Sequence, residues 1–163
     1  MNKELNSEVL DTVSSLRRYM MKFFIKLNTI SALYALALFI AIEFIINVSH
    51  ISTLTGWEWD NVYIVIAAIN VIGLLLSTIL FIYLTKKWTI GRKYSYLSLL
   101  LWAPYFILFF SFFPVVFPIN VGITLFPRFS LLIYGSVILY PVYILFINIY
   151  ASPLSTDYEE IRH

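Results

Sequence analysis

Four uninterrupted apolar stretches dominate this chain, and each is long enough to cross a lipid bilayer. They run from about Leu27 to Ile46, Val62 to Leu84, Tyr96 to Phe117 and Ser130 to Tyr150. About 30 Å of hydrocarbon takes roughly 20 mostly apolar residues in helical form. Hydrocarbon offers no partner for a free N–H or C=O, so each stretch is expected to be helical. A β-barrel would show short alternating segments instead of continuous runs. The composition agrees: 61% of the residues are hydrophobic and 12% charged, against about 45–50% and 25% in soluble domains. The expected fold is an all-α integral membrane protein. Short connections make its four transmembrane helices an up-down bundle.

Lys and Arg near helix ends set orientation, because they stay on the cytoplasmic side. The segment before the first span carries Lys3, Arg17, Arg18, Lys22 and Lys26. The connection between spans two and three carries Lys86, Lys87, Arg92 and Lys93. The connection between spans one and two has neither Lys nor Arg, and the one between spans three and four has only Arg128. Both termini are therefore expected in the cytoplasm, in a plasma (inner) membrane. Residues 1–26 form a basic leader, 27–150 the membrane domain and 151–163 a cytoplasmic tail. Trp57, Trp59, Trp88 and Tyr94 fall where an aromatic belt would sit. The first span reads as a retained signal anchor, since its leader and apolar run are both long. Codon usage in an AT-rich bacterial genome would favour the abundant Ile, Leu, Phe, Tyr and Asn.

Within the leader, Val9, Val13, Leu16 and Met20 recur at helical spacing. Two readings fit: a short amphipathic helix lying on the inner leaflet, or a cytoplasmic extension of the first span. Pro114, Pro118 and Pro127 punctuate the connection to span four. Span three is expected to end near Pro114 or Pro118, with an interfacial or re-entrant segment up to Arg128.

Glu43 is the acidic residue inside a predicted span. A carboxylate there faces protein or water, or takes a proton. It lies near one helix face with Asn28, Ala32, Ala35 and Phe39, a face small enough for close helix packing. Glu43 is read either as a coupling carboxylate or as a structural group paired with Asn47 or Arg128. In span two, Gly73 and Ser77 form a small-xxx-small pair, and Asn70 seeks a cross-helix hydrogen bond. Spans three and four carry Ser98, Trp102, Tyr105, Ser136, Tyr140 and Tyr143 with Pro104 and Pro141, read as packing or as a cavity lining. Trp57, Glu58, Trp59 and Asp60 in the outer loop read as an interface anchor or a docking patch.

Catalytic constellations are missing from the sequence. It contains no P-loop, GxGxxG or HExxH motif. His50 and His163 lie outside the spans, so no haem or metal ligation by histidine is expected. With no cysteine, thiolate metal sites and thiol–disulfide exchange are excluded. No cofactor is expected. The basic residues hug the membrane, where anionic lipid explains them, and no nucleic-acid partner is expected. The leading expectation is a non-catalytic membrane subunit or regulator that binds a larger membrane partner through its helices. The alternatives are a small homo-oligomeric transporter or channel using Glu43, and an enzyme acting on lipid.

Overall fold

The computed structural model describes the backbone of residues 2–88, 96–116 and 127–151, and side chains over 10–88, 96–113 and 131–151. Among the described residues there are five helices: α1 (Asn2–Ile46), α2 (Val48–Thr55), α3 (Trp59–Trp88), α4 (Ser98–Val116) and α5 (Pro127–Ala151). Three segments are long and apolar enough to cross a membrane: Leu10–Ile46, Trp59–Trp88 and Leu131–Ala151. The third expected span coincides with α4, whose described apolar stretch, Ser98–Phe113, is shorter. The protein is thus all-helical, with the helix lengths of a multi-pass membrane protein.

The leader and the first span are one helix. α1 runs 45 residues, which is about 67 Å at 1.5 Å per residue. The chain has neither Gly nor Pro before Gly56, so nothing in α1 favours a kink. The separate short amphipathic helix of the sequence reading is therefore not a separate element: it is the first part of α1. From Leu27 onward α1 is deeply packed. Between Leu10 and Lys26 no described side chain is buried.

The connection between α1 and α3 is more ordered than expected. Residues 48–55 form α2, whose Val48 is buried with Val62 and Ile66 of α3. Gly56 ends it at φ 69°, with its N–H donating to Ser52 O. That left-handed cap is the conformation glycine supplies without a Cβ clash. Ser52 Oγ donates to Trp57 O at 2.7 Å, fixing the turn into α3.

α1 is the hub. Its Tyr34, Ile30, Leu38 and Ile42 form one core with Phe81 of α3, Trp102 of α4 and Tyr140, Ile144 and Ile147 of α5. Phe39 packs its ring on Phe109 at 6.0 Å and Phe113 at 5.4 Å. The outer surfaces are apolar too: 11% of the most apolar window of α3 is buried, and 17% of that of α5. Surfaces this greasy belong in lipid or against another protein. Pro104 and Pro141 stay inside α4 and α5, as membrane helices tolerate when neighbours re-satisfy the freed carbonyls.

One boundary differs from the hydropathy reading. α3 extends through Trp88, so Thr85 belongs to the helix and not to the following loop. Its last turn is held by Lys86 over the Tyr150 ring at 5.3 Å and by Lys87, which donates to Tyr83 Oη at 3.1 Å. α4 is described to Val116, within the Pro114–Pro118 range expected for its end. The question of a re-entrant 114–128 segment falls on 117–126, outside the described residues.

Candidate functional site

Hydrocarbon-soluble helices gain little by burying more leucine, so buried polar groups are where a membrane bundle carries specificity or function. Apart from Ser52 of α2, such groups here gather in one layer. α1, α3, α4 and α5 contribute Ser31, Thr85, Ser98 and Asn148, each buried. Asn148 Nδ2 donates to Ser98 Oγ at 3.1 Å. The contact of Lys86 with Tyr150 puts neighbouring Thr85 at the level of Asn148. Ser31 Oγ donates to Leu27 O within its own helix at 2.8 Å. Just outside this layer, Tyr105 Oη donates to Asn28 Oδ1 at 2.9 Å, joining α4 to α1.

One step deeper lies a set of tyrosines. Tyr140 Oη donates to the Tyr34 backbone oxygen at 2.6 Å. That carbonyl also belongs to the helix ladder, and its second lone pair makes the extra bond possible. Thr78 and Tyr143 share a hydroxyl–hydroxyl bond of 2.7 Å. The rings of Tyr34 and Phe81 approach to 4.2 Å, and those of Trp102 and Tyr140 to 5.4 Å edge-on. Trp102, Tyr105, Tyr140 and Tyr143, read from sequence as packing or a cavity lining, thus converge on packed contacts. Ser98→Ala is expected to lower stability by about 0.6–1.7 kcal/mol, the range for interhelical hydrogen bonds in membranes. Reversible unfolding in mixed micelles measures it, and a neutral variant would mean that the Asn148 bond contributes nothing.

Asn28, Ala32, Ala35 and Phe39 lie on the α1 surface that receives α4, with Ala35 fully buried. Glu43 is half-buried one turn from the end of α1. Its carboxylate accepts from Asn47 Nδ2 at 2.9 Å, and the same amide donates to Glu43 O at 2.9 Å. The side chain of Arg128, its other expected partner, lies outside the described residues. Asn70 is half-buried on α3. The close helix approach expected of Gly73 is not made within this chain: a Cβ there would touch nothing within 4 Å. α3 turns that surface outward, and Ser77 Oγ donates to Leu74 O of its own helix at 3.0 Å. Trp57, Glu58, Trp59 and Asp60 are exposed, with the Trp59 ring 6.4 Å from Tyr63. The structure does not bring this loop together with Glu43 or Asn70 into one site.

A second feature is the uncovered part of α1. The buried positions Tyr34, Ile30 and Leu27 continue toward the N-terminus as Phe23, Met20, Leu16 and Val13, in alternating steps of three and four. That is the spacing of a helix–helix seam. Val13, Leu16, Met20 and Phe24 line a shallow groove, and Leu16 and Met20 are 55% and 68% exposed. Arg17, Arg18, Lys22 and Lys26 flank it.

Among the described residues no group of three His, Cys, Asp or Glu side chains is placed to hold a metal. The chain matches no protein-family model, no curated protein and no solved structure.

Proposed function

We propose that this protein is a non-catalytic subunit or regulator in a bacterial inner membrane, binding a larger partner through the N-terminal part of α1. In this reading it crosses the membrane four times, with α4 as the third crossing and both termini in the cytoplasm. The carrying observation is that the seam packed inside the bundle from Leu27 onward continues toward the N-terminus through Met20, Leu16 and Val13, each of them exposed. A straight helix without Gly or Pro leaves the membrane along its own axis and does not fold down onto the headgroups. Its apolar stripe then stands in water, where only protein can cover it.

The chemistry of the partner follows from the stripe. An amphipathic helix with an apolar seam and acidic flanks would complement Val13, Leu16 and Met20 between Arg17, Arg18 and Lys22. A second copy in the same membrane fits poorly. The bundle lies on the same side of α1 as the stripe, so pairing two stripes would drive two bundles into one volume. A homo-oligomer would have to use the outer faces of α3 or α5.

Photo-crosslinking side chains at positions 16, 20 and 75, in native membranes, test this. Positions 16 and 20 are expected to yield one discrete heavier adduct that position 75 does not. Leu16→Asp combined with Met20→Asp is expected to reduce its yield at least about tenfold, the scale of losing two buried anchors, at unchanged protein level. Adducts confined to lipid, or to position 75, would end this reading.

A further inference from the structure

The core holds two hydroxyls for which the bundle provides no partner. Tyr34 is fully buried and Thr85 is 3% exposed. Neither Tyr34 Oη nor Thr85 Oγ1 has a hydrogen-bond partner. Thr85 lies one turn beyond Phe81 on α3, and the Phe81 ring is 4.2 Å from that of Tyr34, so the two hydroxyls sit on facing surfaces of α3 and α1 without meeting hydrogen-bond geometry. Their neighbours are committed: Tyr140 donates to the Tyr34 carbonyl, and Thr78 is bonded to Tyr143. Burying an unbonded hydroxyl costs free energy, and two facing each other are a rare arrangement in a native core.

We propose that Tyr34 and Thr85 form a binding site for one ordered water molecule, which bridges α1 and α3 through their hydroxyls. Each hydroxyl both donates and accepts, so a water between them completes both. The guest is neutral. No carboxylate is among the buried polar groups of this layer, which are Ser31, Thr85, Ser98 and Asn148. An ion there would keep an uncompensated charge in apolar surroundings. Access is short, because Thr85 precedes Lys86 and Lys87 in the last turn of α3.

The test uses the full chain in lipid nanodiscs with threonine methyls isotopically labelled. Magnetisation transfer from long-lived water to the Thr85 methyl is expected, and it should fall several-fold in Tyr34→Phe. Thr85→Val, close to isosteric, is expected to lower the folded-to-unfolded ratio roughly fivefold, the worth of one buried hydrogen bond. Tyr34→Phe should do the same, and the double variant should add little to either. Absence of water transfer overturns the site. With coupled losses, that absence would mean the two hydroxyls bond directly. With a stabilising Thr85→Val, it would mean they sit dry.

Discussion

Tyr34→Ala should be among the most damaging single truncations in this protein, at about 2–3 kcal/mol. In a soluble core, deleting a large aromatic costs about 3–5 kcal/mol, combining transfer from water with the cavity left behind. In a bilayer the separated helices are already solvated by apolar lipid, so most of the transfer part cancels. The cavity remains, with every dispersion contact its walls lose. Tyr34 is fully buried at the hub, its ring centroid 4.2 Å from that of Phe81 and tilted to it, on the helix that also meets α4 and α5. Ile79→Ala, on the outer side of α3 where Ile79 is 66% exposed, is the control and should cost under about 0.5 kcal/mol. Unfolding by graded denaturing detergent compares the two. Equal losses would mean that α1 does not hold the centre of the bundle.

The second large effect separates membrane from water along the chain. Leu75 lies near the middle of α3 and faces outward. Arg in its place should raise the apparent insertion free energy of that helix by about 3 kcal/mol, a loss of roughly a hundredfold in the insertion equilibrium. Leu16→Arg should change insertion hardly at all if, as proposed, position 16 belongs to the part of α1 beyond the membrane, where it already adjoins Arg17 and Arg18. A glycosylation-based insertion reporter reads both. A strong insertion defect from Leu16→Arg would place the hydrocarbon boundary well before Leu27. That would remove the water-exposed stripe on which partner binding rests.

These contrasts also show how far the residues speak for themselves. The end of α1 at Ile46 is readable because an apolar run meets Asn47 and then a Ser- and His-containing stretch. The heptad-like recurrence of Val13, Leu16 and Met20 is equally visible. Its continuity with Leu27, Ile30 and Tyr34 is not, because hydropathy places a boundary where Lys22 and Lys26 interrupt the run. The same bias misplaces Thr85. The string Thr-Lys-Lys-Trp reads as loop, whereas Tyr150 and Tyr83 provide the contacts that keep it helical. α2 is invisible locally, since Ser, His and Thr are indifferent helix formers and its order comes from Val48 packing on Val62 and Ile66. Asn148 carried the signal that singled out Asn70, a lone amide in an apolar helix, yet its partner Ser98 lies 50 residues away. Gly73 illustrates the reverse: a small residue marks where a helix could approach, and only the fold decides whether one does.

The hub position of α1 also sets a timetable. The helix that the others pack against is made before them, and Tyr140, which bonds to Tyr34, follows 106 residues later. At about 5–20 residues per second, that interval is roughly 5–20 s of synthesis. Until Phe81 follows, Tyr34 lacks its ring neighbour, and until Tyr105 follows, Asn28 lacks its cross-helix donor, so both face lipid or a borrowed partner. A membrane insertase that shelters polar helix faces would therefore act on this protein in that interval, before the bundle can satisfy them itself.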